Sequence, residues 1–143
     1  MPSHFRLVVL GTGGHAASVA EASESAGFAV GRFIEIPAGP AQRETLISRI
    51  RELDFETTAL ALGVGTNFAR AAIYDMVSSE FPEASFPSVV HHTAWLSPSA
   101  EIANGVTLLA HSSVGPNASL GLGSLVNTGA SLDHDGELGD FAS

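Results

Sequence analysis

The sequence predicts an α/β domain built on a small parallel sheet, followed by a three-sided parallel β-helix of about three coils. Three observations predict it. The first part of the chain alternates apolar runs with helix-like segments. Two glycine turns, Gly11-Thr12-Gly13-Gly14-His15 and Gly63-Val64-Gly65-Thr66-Asn67, each follow an apolar run and open a helical one. From Val90 onward an aliphatic residue recurs every six positions, at Val90, Leu96, Ile102, Leu108, Val114, Leu120, Val126, Leu132 and Leu138. Neither a helix nor an alternating strand has that period. A short repeat means stacked units, none able to bury its apolar face alone. Six residues suit one flat wall, eighteen make a turn of the coil, and residues 90–143 make three turns.

Taken in order, residues 4–10 read as a buried strand that ends at Gly11. Ala16–Ala26 is rich in Ala and Ser and reads as a helix closed by Gly27. Phe28–Ile36 is a second strand. Pro40–Leu53 carries Leu46, Ile47, Ile50 and Leu53 at helical spacing. Thr57–Leu62 is a third strand. Phe68–Glu80 is a third helix, with Thr66 or Asn67 as N-cap and with Ala72, Ile73, Met76 and Val77 on one side. Ser85–Val90 is a fourth short strand leading into the repeat. Strand and helix in alternation imply a Rossmann-like parallel sheet with helices packed on it. The division falls between a domain of residues 1–86 and a repeat domain of residues 87–143.

Inside the repeat, the fourth residue after each aliphatic is small or Val, as in Ala94, Ala100, Val106 and Ser112, and faces inward where space is tight. The two residues after the aliphatic are expected at corners. They include Ala103-Asn104, Gly115-Pro116, Gly121-Leu122 and Gly139-Asp140, and Gly and Asn accept left-handed backbone angles.

Charge narrows the function. The net charge is -9, and the six Lys and Arg residues all lie between residues 6 and 70. A polyanion partner needs clustered cations, so a nucleic acid is not expected. Cysteine is absent, which makes a reducing cytoplasm the simplest setting. No apolar run reaches the ~18 residues that span a bilayer, so no membrane partner is expected.

Three motifs carry chemistry. The first glycine turn lets a backbone approach a phosphate at a helix N-terminus. Glu35, at the end of the second strand, can accept ribose hydroxyls. Ala16 stands where a dinucleotide fingerprint has its third glycine, so a tight turn with a surface acid is the alternative. The second glycine turn opens on the same sheet edge, with Arg70 nearby to pair with a phosphate. The third motif is Asp133-His134-Asp135. Histidine exchanges a proton near neutral pH, and an adjacent carboxylate can orient and stabilise its ring. One histidine with two neighbouring acids makes no metal site. The remaining candidates are weaker. His91-His92 marks the entry to the first coil, His111 is a surface residue, and Trp95 marks either an interface or a face covered by the first domain.

The segments "VVLGTGGHA", "ALGVGTNFAR", "FPSVVHHTAWLSPSAEIANGV" and "VNTGASLDHDGELGDF" occur in this order. Together the chain resembles the sugar O- and N-acetyltransferases of the sialic acid and bacillosamine type, which are hexapeptide-repeat proteins. The resemblance implies a left-handed β-helix, a cytoplasmic homotrimer and transfer of acetyl from acetyl-CoA to an amine or hydroxyl of a sugar. It implies no metal. By motif, His134 would be the general base, Asp133 its acidic support and Asn127 an active-site asparagine. Gly11, Gly13, Gly14, His15, Glu35, Gly63, Asn67 and Arg70 would line the pocket for a nucleotide-linked amino sugar or a sialic acid.

Departures from the family pattern are His92 in place of a proline, Gly136 in place of a cysteine, and Ser143 in place of a second histidine. Family members continue for several more coils, along which the pantetheine arm lies. The expectation is therefore a truncated form with the acceptor half and the base but little activity of its own. Two other functions compete: a non-catalytic nucleotide-sugar-binding module on a trimeric scaffold, and a nicotinamide-dependent redox enzyme. The missing third glycine and the small sheet oppose the latter.

Overall fold

The computed structural model describes residues 5–143; His4, placed in the first strand from the sequence, lies outside them. β1 (Arg6–Leu10), β2 (Ala29–Ile34) and β3 (Thr58–Leu62) form a parallel sheet in the order β2-β1-β3. The central strand β1 is apolar on both faces because helices or the repeat cover both. Leu7 and Val9 face α1 (Gly14–Ser25), whereas Val8 and Leu10 face α2 (Gln42–Arg51) and α3 (Asn67–Glu80). The C-terminus of α1 closes as a Schellman turn: Phe28 N–H bonds Ser23 O, Gly27 N–H bonds Glu24 O, and Gly27 takes a φ of 97°.

The repeat forms a three-sided prism. Its first coil holds β4 (Val89–Val90), β5 (Trp95–Leu96) and β6 (Glu101–Ile102). The second holds β7 (Thr107–Leu108), β8 (Ser113–Val114) and β9 (Ser119–Leu120). The third holds β10 (Leu125–Val126), β11 (Ser131–Leu132) and β12 (Glu137–Leu138). Every strand pairs in parallel with the residues eighteen positions away, as in Val90 with Leu108 and Leu108 with Val126. The aliphatic residues of the period all enter one prism core, and Leu108 and Val114 there are fully buried. Ser112 and Ser124 also sit inside. Each hydroxyl donates to a carbonyl of its own corner, Leu109 O at 2.7 Å and Gly121 O at 2.8 Å, which satisfies the buried polar atom.

Two expectations are corrected. The segment 85–90 does not join the first sheet as a fourth strand. Leu60 N–H bonds Ser85 O at 2.9 Å, but Pro87 follows and cannot donate, and β4 pairs with β7 instead. Corners also come one residue later than the sequence suggested. The turns are Asn104-Gly105, Pro116-Asn117, Leu122-Gly123 and Asp140-Phe141, the second and third residues after the aliphatic. The left-handed residue is the third, at Gly105, His111, Asn117, Gly123, Gly129, Asp135 and Phe141. The first residue after the aliphatic stays extended because its N–H still bonds the next coil, as Gly115 N–H does to Leu132 O.

The two parts share a core. Val89 and Leu125 point outward from the wall β4-β7-β10 and are buried against α1, together with Leu109 from the corner beyond it. The helix lies between sheet and prism, and its Ala16, Ala20, Ala22 and Ser23 are buried between them. Outward positions on the other two walls are Trp95, Ser113 and Ser131, and Glu101, Ser119 and Glu137. Trp95 is 60% exposed, so the first domain does not cover it. On α3 the buried residues are Arg70, Ile73 and Val77, while Ala72 is exposed.

Candidate active site

Both glycine turns leave the carboxyl edge of the sheet side by side. Gly11 N–H bonds Ile34 O and Gly63 N–H bonds Leu10 O, each at 2.8 Å, so the ladder runs past the strand ends. Gly11 has a φ of 129°, and a Cβ there would meet Gly63 O at 2.5 Å. A Cβ on Gly63 would meet Val9 Cγ1 at 2.6 Å and Leu10 O at 2.9 Å. These two glycines exist for backbone approach. Gly13 and Gly14 differ, with nothing within 4 Å of an added Cβ. Neither α1, with Gly13 as N-cap, nor α3, with Thr66, has a side-chain cap on its first N–H groups.

His15 lies in the first turn of α1, its ring beside Gly65. Its Nε2 is buried and has no hydrogen-bond partner. Burial first, then the charge of Arg70, pushes His15 below the ordinary histidine value. Linkage fixes the sign. The unfolded chain protonates this histidine near pH ~6.5 while the folded chain resists, so its contribution holds above that pH and is lost as pH falls. Chemical denaturation repeated between neutral and mildly acidic pH should show this acid loss, and His15→Gln should flatten it.

Arg70 points inward and is 2% exposed. Its Nε donates to Gly123 O at 2.9 Å and its Nη1 to Val64 O at 3.4 Å and Gly65 O at 3.2 Å. Its Nη2 donates to Asn67 Oδ1 at 3.0 Å, Phe141 O at 2.7 Å and Ala142 O at 3.4 Å. This placement differs from the phosphate contact read from the sequence, because the guanidinium spends its donors on the protein. Asn67 is likewise occupied through its carbonyl oxygen. Glu35 follows β2 and is exposed; its backbone carbonyl accepts from Arg49 Nη1 at 2.9 Å.

On the third coil, His134 occupies the corner after β11 with its side chain 71% exposed. Its Nδ1–H donates to Asp135 Oδ2 at 2.8 Å. Asp133 instead accepts from the His134 backbone N–H at 2.9 Å. The carboxylate on the ring is thus Asp135, a residue the sequence reading passed over in favour of Asp133. Its sequence signal is its place three residues after Leu132, where the left-handed φ of 60° turns it back toward the histidine. The hydrogen bond to Asp135, followed by the charges of Asp133 and Asp135, raises the imidazole above the ordinary histidine value. With Nδ1–H engaged, Nε2 keeps its lone pair and is free to take a proton.

Asn127 is exposed and immediately follows β10, one corner before His134, with the wall strand β11 between them. One chain therefore does not bring them together. α1 runs along the prism with Ser25 Oγ accepting from His92 N–H at coil one, while Ser18 and Glu21 lie beside Leu109 and Thr128. The N-terminus of α1 thus reaches the level of the third coil.

No family model matches this chain, and no curated protein does. Solved structures do. The acetyltransferase domain of PglB from Neisseria gonorrhoeae FA1090, in complex with acetyl coenzyme A, superposes with a TM-score of 0.81 at 28% identity, covering 95% of this chain and 68% of that one. PerB from Caulobacter crescentus, in complex with CoA and GDP-perosamine, gives a TM-score of 0.80 at 25% identity, covering 95% and 66%. A variant of perosamine N-acetyltransferase from the same organism, with asparagine in place of a histidine, gives 0.79 at 25% identity over 94% and 65%. The chain is a structural relative of sugar acetyltransferases. The likeness spans both of its parts, glycine turns and repeat alike. The neighbours extend beyond it, since it spans about two thirds of their length.

Proposed function

We propose that this chain is the acceptor-binding and base-bearing part of a sugar acetyltransferase whose prism winds left-handed. Acetyl passes from acetyl-CoA to an amine or hydroxyl of a nucleotide-linked amino sugar. The observation that carries the reading is His134, exposed at a corner of the third coil with Nδ1 held by Asp135 and Nε2 free. Acetyl-CoA would supply an already activated thioester. Positioning and proton transfer are then the main tasks left to the protein. His134 Nε2 takes the proton of the attacking amine or hydroxyl, and Asp135 stabilises the imidazolium until the departing sulfur receives that proton. The open backbone at Gly13 and Gly14, beside the uncapped N-termini of α1 and α3, supports a nucleotide diphosphate at the sheet edge. Because Asn127 and His134 lie on successive corners, the reading completes each site with two copies of a homotrimer, Asn127 from one and His134 from the next.

The test is to mix the protein with acetyl-CoA and a UDP- or GDP-linked amino sugar and to follow acetylated product by mass spectrometry. Slow formation of acetylated sugar nucleotide is the expected result, since the chain spans about two thirds of the length of its CoA-bound neighbours. If nucleotide sugar binds and acetyl-CoA does not, even in a form extended to the length of the neighbours, the chain is a binding module and the transferase reading fails.

A further inference from the structure

Among the described residues Arg70 is the side chain with the most hydrogen bonds, and nucleotide binding does not account for them. Its guanidinium bridges two structures distant in sequence. On one side are Val64 O, Gly65 O and Asn67 Oδ1 of the second glycine turn. On the other are Gly123 O and Phe141 O, stacked corners of the second and third coils. The five N–H groups of a planar fork can span both sides at once, which a lysine cannot do. Among the described residues no carboxylate pairs with it, so charge neutralisation is not its purpose.

The corner it grips is strained. Phe141 has a φ of 57°, a conformation that a bulky residue adopts only when its surroundings impose it. Three contacts do so: Arg70 Nη2 on its carbonyl, its own N–H on Leu122 O at 2.7 Å, and Tyr74 against its ring at a centroid distance of 5.4 Å. Two of these come from α3, the helix that opens with the glycine turn. The turn and the third-coil corner are thus fixed to one guanidinium.

We propose that Arg70 is a positioning residue: it locks the second glycine turn to the third coil, so that an acceptor seated on the glycine turns is held in register with the coil that carries Asn127 and His134. It does not contact the ligand. This rests on the nucleotide reading above and adds a coupling between the ligand turn and the prism corner.

The experiment titrates UDP, and separately GDP, into the wild-type chain and into Arg70→Lys and Arg70→Met, following backbone amides by NMR. In the wild type, nucleotide should shift Gly123 and Phe141 amides as well as those of the glycine turns. Both variants should bind about tenfold more weakly, to the same extent, and lose the response at Gly123 and Phe141. A direct phosphate contact predicts instead that lysine keeps most of the affinity while methionine loses it, which overturns the proposal. A merely structural role predicts a lower melting temperature with unchanged affinity and an intact corner response, which also overturns it. Failure of the wild type to bind either nucleotide sinks the underlying reading, and shows itself before any variant is compared.

Discussion

His134→Ala is expected to lower acetyl transfer by about 10²–10⁴-fold, with nucleotide-sugar affinity retained. The imidazole is exposed, so its loss leaves no cavity and no buried polar group, and the fold should not change. Paired measurement of kcat and of acceptor binding separates a base from a contact residue. The pH profile adds an independent check. A general base must be neutral, and Asp135 raises the pKa of His134. The rate should therefore fall on the acid side at a pH above the ordinary histidine value. Asp135→Asn replaces the charged acceptor by a neutral one, which weakens the main cause of the shift and should move that limb to lower pH. Asp133→Asn removes only a charge, since the amide oxygen can still accept from the His134 backbone N–H, so its displacement should be smaller. Wild-type turnover in His134→Ala would remove the mechanism; an unmoved acid limb in Asp135→Asn would remove the pairing.

Gly11→Ala should destabilise the chain by about 2–4 kcal/mol, whereas Gly13→Ala should leave stability nearly unchanged and weaken nucleotide binding. The two residues lie two positions apart in one turn and differ in what surrounds them. An added methyl at Gly11 meets a backbone carbonyl and a forbidden φ, and neither can yield without parting β1 from β3. At Gly13 the same methyl enters open space, at the place where a phosphate would approach the N-terminus of α1. Urea denaturation and UDP titration of both variants test the contrast. Equal stability of the two variants would mean that the turn is looser than its contacts indicate. Unchanged nucleotide affinity in Gly13→Ala would place the ligand elsewhere.

Much of the fold is legible because its signals are local. The six-residue period fixes which side chains enter the prism, since in a stacked coil each inward position depends only on the units above and below it. The alternating apolar runs and glycine turns likewise place the strands and helices within a few residues. The sequence carries one further local signal. The residue before the aliphatic is Val89, Thr107 and Leu125 on one wall, but Trp, Ser or Glu on the other two. That eighteen-residue pattern marks the wall covered by α1.

The candidate site is legible as a set of residue types and not as an arrangement. The triplet Asp133-His134-Asp135 offers a histidine and two neighbouring acids, but finding which acid holds the ring requires the left-handed φ of Asp135, a consequence of the corner. The second turn offers an arginine near a glycine turn, and nothing local shows that its partners lie 53 and 71 residues away. The sequence by itself determined the repeat, the sheet and the chemistry available at each turn, because those follow from neighbours along the chain or one coil apart. Only the tertiary structure decided which wall is covered, which glycines are too crowded for a methyl, and where Arg70 spends its donors. Each of these depends on where distant backbone atoms meet, and spacing along the chain does not encode that.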